Sequence, residues 1–296
     1  MKLLYRQKLG LESAQVSLIE HEDAIVATVY HVKTADGKES ILKICFRPCE
    51  YYREVFFLTR FASKLPVPRI IRTIPPEKGI DGAVLMECLP GNLLTIPGLT
   101  SDLTEEAGAC LARIHSEKAQ GYGDLVEPNN LSSDPRHDLT LKFEEGLGEC
   151  AAHFSKEMIE KCRRFFMQHR DLFLIVDGPC IIHRDYRPGN IFAKEGKLTG
   201  IIDWASARGG FAKEDFCPLE LGDWSEDPQF KKAFLTGYAT VRPIPDYERI
   251  MPLLLLSRAI AVIGFTVKRG TWNSKCKALY QRHLQSIQSL FRETPS

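Results

Sequence analysis

The chain carries almost no net charge: 39 Lys and Arg face 38 Asp and Glu over 296 residues. Binding a phosphate backbone needs a surplus of basic side chains, so no nucleic-acid partner is expected. None of the nine cysteines forms a C-x-x-C pair, and several lie in apolar runs, as Cys45 does between Ile44 and Phe46. Cysteines of that kind read as reduced core thiols and point to a cytoplasmic protein. The first residues have too short an apolar stretch for a signal peptide. The most apolar window, residues 253–265, is interrupted by Ser257, Arg258 and Gly264. It is shorter than a bilayer span and reads as a buried helix, so no membrane partner is expected. Internal repeats and low-complexity tracts are missing, as are the G-x-x-x-x-G-K-[ST] phosphate loop and the dinucleotide glycine fingerprint. What remains is ordinary globular composition, 44% hydrophobic and 26% charged. The length suits about two domains or lobes.

The first ninety residues read as strands around one helix. Apolar or β-branched runs at 16–20, 25–33, 40–46, 69–74 and 83–89 predict five strands. Asp36-Gly37 supplies a hairpin turn, and residues 50–64 have helical spacing ended by Pro66 and Pro68. After Pro90-Gly91 the chain becomes mostly helical. Residues 101–118 predict a helix with Ser101 or Asp102 as N-cap, and 139–173 predict two helices. Residues 190–204 read as a hairpin turning at 194–197, and helices fill the chain from 218 onward.

The densest polar motif is His183-Arg184-Asp185-Tyr186-Arg187-Pro188-Gly189-Asn190, followed by Ile202-Asp203-Trp204. Asp185 and Asn190 frame a short loop, and a second carboxylate, Asp203, lies thirteen residues beyond Asn190 after a hairpin. This set suits phosphoryl transfer from ATP. One carboxylate orients an attacking hydroxyl, while an amide oxygen and a second carboxylate hold Mg²⁺ against the phosphates. Apolar strands on both sides would hold these groups rigidly. Simple turn-making by Asp185 and Asn190 would not require the flanking strands or the second carboxylate.

These residues resemble the aminoglycoside phosphotransferase and choline kinase-like family of small-molecule kinases. Pro188-Gly189-Asn190 and Ile202-Asp203-Trp204 fit it better than protein kinases, which have Asp-Phe-Gly at the second position. The resemblance implies an α+β, two-lobed protein-kinase-like fold. Residues 1–89 would form a nucleotide-binding lobe, an antiparallel sheet with one helix. Residues 90–296 would form a mostly helical lobe with the catalytic loop and acceptor site. It also implies Asp185 as catalytic base and Asn190 and Asp203 as metal ligands. Arg184 is a departure, standing where the family more often has Gly.

The same resemblance asks for a Lys–Glu pair in the first lobe. Lys43 has apolar neighbours on both sides, and Glu54 shares a helix face with Tyr51, Leu58 and Phe61. A carboxylate on an apolar face needs a partner, and Lys43 is the candidate. The run 83–91 resembles the family's interlobe linker, in which the Glu87 carbonyl and the Leu89 amide would bond adenine. His115, in Leu111-Ala112-Arg113-Ile114-His115, reads as a structural histidine. The expected phosphate-covering loop, residues 19–24, has no Gly and three acids. That departure leaves room for a catalytically inactive kinase-like binding protein. A protein kinase is the other alternative, opposed by Trp204 and by the lack of a downstream Ala-Pro-Glu.

The expected activity is therefore ATP- and Mg²⁺-dependent phosphorylation of a small-molecule hydroxyl. Residues 211–229 carry Glu214, Asp215, Glu220, Asp223, Glu226 and Asp227 against Lys213 alone. If part of this stretch lined the acceptor side, a cationic acceptor such as an aminoglycoside or amino-alcohol would be favoured.

Overall fold

The computed structural model describes residues 3–20, 27–222, 224 and 227–293. Its chain divides into two compact units. The first comprises Met1–Ser116, His183–Arg208 and Asp223–Pro243; the second comprises Glu117–Ile182, Gly209–Gly222 and Ile244–Ser296.

In the first unit a five-stranded antiparallel sheet is built from β1 (Gln15–Leu18), β2 (Ala27–Lys33), β3 (Glu39–Cys45), β4 (Ile70–Ile74) and β5 (Gly82–Glu87), in the order β1-β2-β3-β5-β4. These are the five strands that the β-branched runs predict. The β2–β3 turn uses Gly37 at φ 82°, a backbone that glycine reaches without strain. Alternation along the central strands sorts the side chains. Val32, Leu42, Ile44, Ala83 and Leu85 pack into one core cluster with Tyr5 and Leu9. Those two come from α1 (Leu3–Leu9), a helix the sequence periodicity did not foretell because seven residues hold only two turns of pattern. Lys43 lies on the opposite face.

The helix α2 (Pro48–Phe61) starts at Pro48, whose missing N–H costs nothing there. The Glu50 carboxylate accepts the Arg47 backbone N–H at 3.2 Å and its guanidinium Nε at 2.8 Å, closing the first turn. Glu50, Tyr51, Glu54, Phe57, Leu58 and Phe61 are its buried residues, the face predicted from spacing with Glu50 and Phe57 added.

Two further helices and a second sheet belong to this unit. The helix α3 (Ser101–Ser116) packs against α7 (Pro228–Ala239). Its cap corrects the expectation: Thr100 Oγ1 accepts the Leu103 N–H at 3.3 Å, so Ser101 and Asp102 already belong to the first turn. His115 is buried, with Nδ1 2.9 Å from the Tyr238 hydroxyl, a structural role. A second sheet, β6 (Asn92–Leu93), β8 (Ile191–Lys194) and β9 (Lys197–Ile201), holds the predicted hairpin. Its two-residue turn puts Glu195 and Gly196 at φ 52° and 75°, the signature of a type I′ turn.

Gly91, at φ 96°, is forced by close approach: a Cβ there would collide with the Ala193 carbonyl of β8. Gly91→Ala should cost about 3 kcal/mol or more, read from urea unfolding midpoints. Gly79→Ala, at φ 79° with nothing within 4 Å, should cost only about 1–2 kcal/mol.

The second unit contains α4 (Pro135–Cys150), α5 (Lys156–His169), β7 (Cys180–Ile182), α6 (Cys217–Leu221), α8 (Met251–Lys268) and α9 (Lys277–Glu293). Both predicted helices of 139–173 are present, with Asp134 and Ser155 as their N-caps. The apolar window 253–265 lies inside α8. At 18 residues this helix is longer than the window suggests and is long and apolar enough to cross a membrane, but half of it is buried in the structure. All nine cysteines are free thiols and seven are buried. Burial pushes Cys45, Cys150 and Cys162 up to about 12, so they are inert at neutral pH.

Candidate active site

All seven predicted residues, Lys43, Glu54, Glu87, Leu89, Asp185, Asn190 and Asp203, fall in the first unit. Lys43 rises from the middle of β3, and its ammonium makes two ion pairs. Nζ lies 2.9 Å from Glu54 Oε2 and 2.8 Å from Asp203 Oδ1. The first pair is the one predicted from the sequence; the second ties the sheet to a residue 160 positions away. Lys43 is 8% exposed and Glu54 1%. Burial opposes the ammonium, but the Asp203 and Glu54 carboxylates outweigh it and hold Lys43 well above its ordinary value. The Lys43 ammonium likewise holds Asp203 below the usual carboxylate range. Glu54, the more deeply buried acid, is pushed upward by desolvation against the pull of Lys43.

The loop from β7 to β8 carries Asp185 and Asn190. Asn190 Nδ2 donates to the Asp185 backbone carbonyl at 2.8 Å and to its Oδ2 at 2.7 Å. This fixes the amide orientation and turns Oδ1 away as the remaining acceptor. Arg187 Nε stands 3.5 Å from the same Asp185 oxygen. The Asp185 side chain is 30% exposed, so the carboxylate is reachable by a small molecule.

Hard divalent cations take oxygen ligands. Asn190 Oδ1 and Asp203 Oδ2 are oxygens left over from the bonds just described, so the donor set fits Mg²⁺.

Two residues of the motif, His183 and Trp204, have positioning roles that the sequence reading did not assign. His183 is fully buried; Nε2 bonds the Ile202 carbonyl at 3.1 Å, and Nδ1 accepts the Asp185 N–H at 3.3 Å. Those partners select the tautomer with its proton on Nε2. The ring joins the end of β9 to the start of the loop. Trp204 packs on His183 at 4.6 Å between ring centroids, on Phe61 at 4.8 Å and on Phe57 at 6.0 Å. The Trp204 backbone also offsets a little of the upward push on the Glu54 carboxylate. An Ile-Asp-Trp triplet marks the position, but only the fold reveals that this indole pins α2 to the loop.

Arg184 and Asp203 both adopt left-handed backbone, at φ 67° and 66°. Such conformations cost non-glycine residues about 1–3 kcal/mol and cluster at functional sites. A glycine at 184 would take this backbone freely, which gives the Arg184 departure a physical meaning.

Glu87 closes β5 opposite Ser40, and its carboxylate pairs with Arg69 Nε at 3.1 Å. Leu89 fills the space over Gly200 of β9, where a Cβ would strike Leu89 Cδ1. Of the phosphate-loop stretch, residues 21–24 lie outside the described residues. Within 211–229 two of the acids make structural bonds and a third is buried. Asp227 caps α7 through the Gln229 N–H, Glu220 accepts the Tyr247 hydroxyl at 2.9 Å, and Asp215 is buried. Asp223 and Glu226 lie outside the described residues.

A sheet that carries a paired lysine, followed by an Asp–Asn loop and a second aspartate after a hairpin, defines the protein-kinase-like fold class. Solved structures agree. The chain superposes on a thermostable mutant of aminoglycoside phosphotransferase APH(4)-Ia with a TM-score of 0.73 at 12% identity, covering 98% of this chain and 99% of the other. It superposes on choline kinase LicA from Streptococcus pneumoniae with a TM-score of 0.70 at 17% identity, covering 97% and 98%. The model of the phosphotransferase enzyme family matches residues 19–253, and the chain belongs to that family. Among curated relatives, a homoserine kinase of Gluconobacter oxydans (strain 621H) is 30% identical over 187 residues, 60% of this chain and 56% of the relative. A homoserine kinase of Rhizobium johnstonii is 29% identical over 274 residues, 89% of this chain and 78% of the relative. The match thus spans little more than half the length of the Gluconobacter protein.

Proposed function

We propose that this chain transfers the γ-phosphoryl group of ATP to the hydroxyl of a small amino-hydroxy compound, homoserine being the first to test. The observation that carries the transfer reaction is the single ammonium of Lys43 bridging Glu54 and Asp203 in the same unit as the Asp185–Asn190 loop. Support for the acceptor comes from the relatives, which are named homoserine kinases.

In this reading residues 1–89 bind nucleotide and residues 90–296 supply the catalytic loop and acceptor site. Lys43, held by Glu54, contacts the α- and β-phosphates. The Glu87 carbonyl and Leu89 amide bond adenine. Asn190 and Asp203 hold Mg²⁺, which when bound neutralises phosphate charge. Asp185 orients the acceptor hydroxyl and takes its proton as the hydroxyl oxygen bonds the γ-phosphorus. The bond from that phosphorus to the β–γ bridging oxygen breaks, leaving ADP and a phosphate ester.

The test is ADP release from Mg²⁺-ATP with homoserine, choline, hygromycin B and a generic protein substrate in parallel. Turnover with homoserine well above the others supports the reading. Turnover with choline or hygromycin B moves the acceptor assignment, turnover on protein favours a protein kinase, and no turnover or nucleotide binding at all favours an inactive kinase-like protein.

A further inference from the structure

We propose that His31, Glu39 and Cys88 form a binding site for one zinc-class divalent ion on the sheet face that carries Lys43. The strand register brings them together. On β2 and β3, His31 pairs with Ile41 and Lys33 with Glu39; on β3 and β5, Ser40 pairs with Glu87. Glu39 is therefore diagonal to His31 and level with Cys88, one residue past the end of β5. Two adjacent strands and the segment leaving a third each give one ligand. Alternation puts Glu39, Ile41 and Lys43 on one face, so the cluster lies about 13 Å from Lys43 along β3.

The ligand atoms of the three residues lie within 4.8 Å of one another. His31 Nε2 is 3.5 Å from Glu39 Oε2, while Lys33 holds the other oxygen, Oε1, at 3.2 Å. The carboxylate thus already presents one oxygen to the imidazole. Burial and the Glu39 and Glu87 carboxylates push the Cys88 thiol above its ordinary value. A cation among these groups reverses that field and releases the proton, forming the metal–thiolate bond with no change in oxidation state.

The donor chemistry selects the ion. Imidazole nitrogen, thiolate sulfur and one carboxylate oxygen suit borderline-soft ions of the zinc class, whereas Mg²⁺ demands oxygen ligands. Glu39 is exposed, and His31 and Cys88 are half-buried, so water can complete a tetrahedral set. This inference does not rest on the phosphotransferase reading, because its test needs neither nucleotide nor acceptor.

The experiment titrates the metal-free full-length chain with Co²⁺ as an optical probe and then with Zn²⁺. One equivalent should raise a thiolate-to-cobalt absorption, with one proton released per ion, and Zn²⁺ but not excess Mg²⁺ should quench it. Cys88→Ser should abolish the band, Cys49→Ser should leave it intact, and His31→Ala should weaken Zn²⁺ binding about tenfold or more. Metal-free thermal unfolding establishes that each variant is folded. A band that survives Cys88→Ser, no band at all, or Zn²⁺ affinity unchanged in both site variants overturns the site.

Discussion

Asp185→Asn should reduce acceptor-dependent turnover by about 10²–10⁴-fold, the contribution of a positioned general base. The substitution keeps an oxygen for the Asn190 Nδ2–H bond, now 2.7 Å long, and the side chain is 30% exposed. Its effect on unfolding midpoints should therefore stay within about 1 kcal/mol. The loss should fall on kcat, with KM for ATP nearly unchanged, because Asp185 faces the acceptor in the proposed mechanism and Lys43 faces the nucleotide. A variant with wild-type kcat would remove Asp185 from the chemistry altogether.

Lys43→Met should abolish measurable turnover and destabilise the chain by about 3–5 kcal/mol, because it leaves Glu54 buried without a cation. The pH dependence gives a second readout. In the wild type, Asp203 is depressed by Lys43, so its share of stability is present above the ordinary Asp value and is lost as pH falls through the folded one. Glu54, pushed up by burial, acts in the opposite sense, its share being lost as pH rises through its folded value. Removing Lys43 takes away the Asp203 gain and strengthens the upward push on Glu54. Stability of the variant should therefore increase from about pH 8 to about pH 5, measured by chemical unfolding. A variant whose stability stays flat or falls over that range would contradict the pairing.

Much of the sheet was legible because period-two runs of β-branched residues and an Asp-Gly turn leave little freedom of register. Asp185, Asn190 and Asp203 were legible through fixed spacing, and the Lys43–Glu54 pair through the cost of a lone buried charge. The bridge from Lys43 to Asp203 was not, since nothing local signals a contact 160 residues apart. Nor was the structural use of Asp227 and Glu220: a carboxylate that caps a helix and one that lines a site read alike in one dimension. The Thr100 cap was missed by one residue, because three consecutive polar side chains, Thr100, Ser101 and Asp102, offer equivalent hydroxyl or carboxylate oxygens.

Trp204 has a consequence for cooperativity. Its indole touches Phe57 and Phe61 of α2 and the His183 ring. The helix cannot peel from this indole without also loosening the histidine that fixes the Asp185 amide. Amide protons of α2 and of the 183–190 loop therefore belong to one opening unit and should exchange with a common free energy.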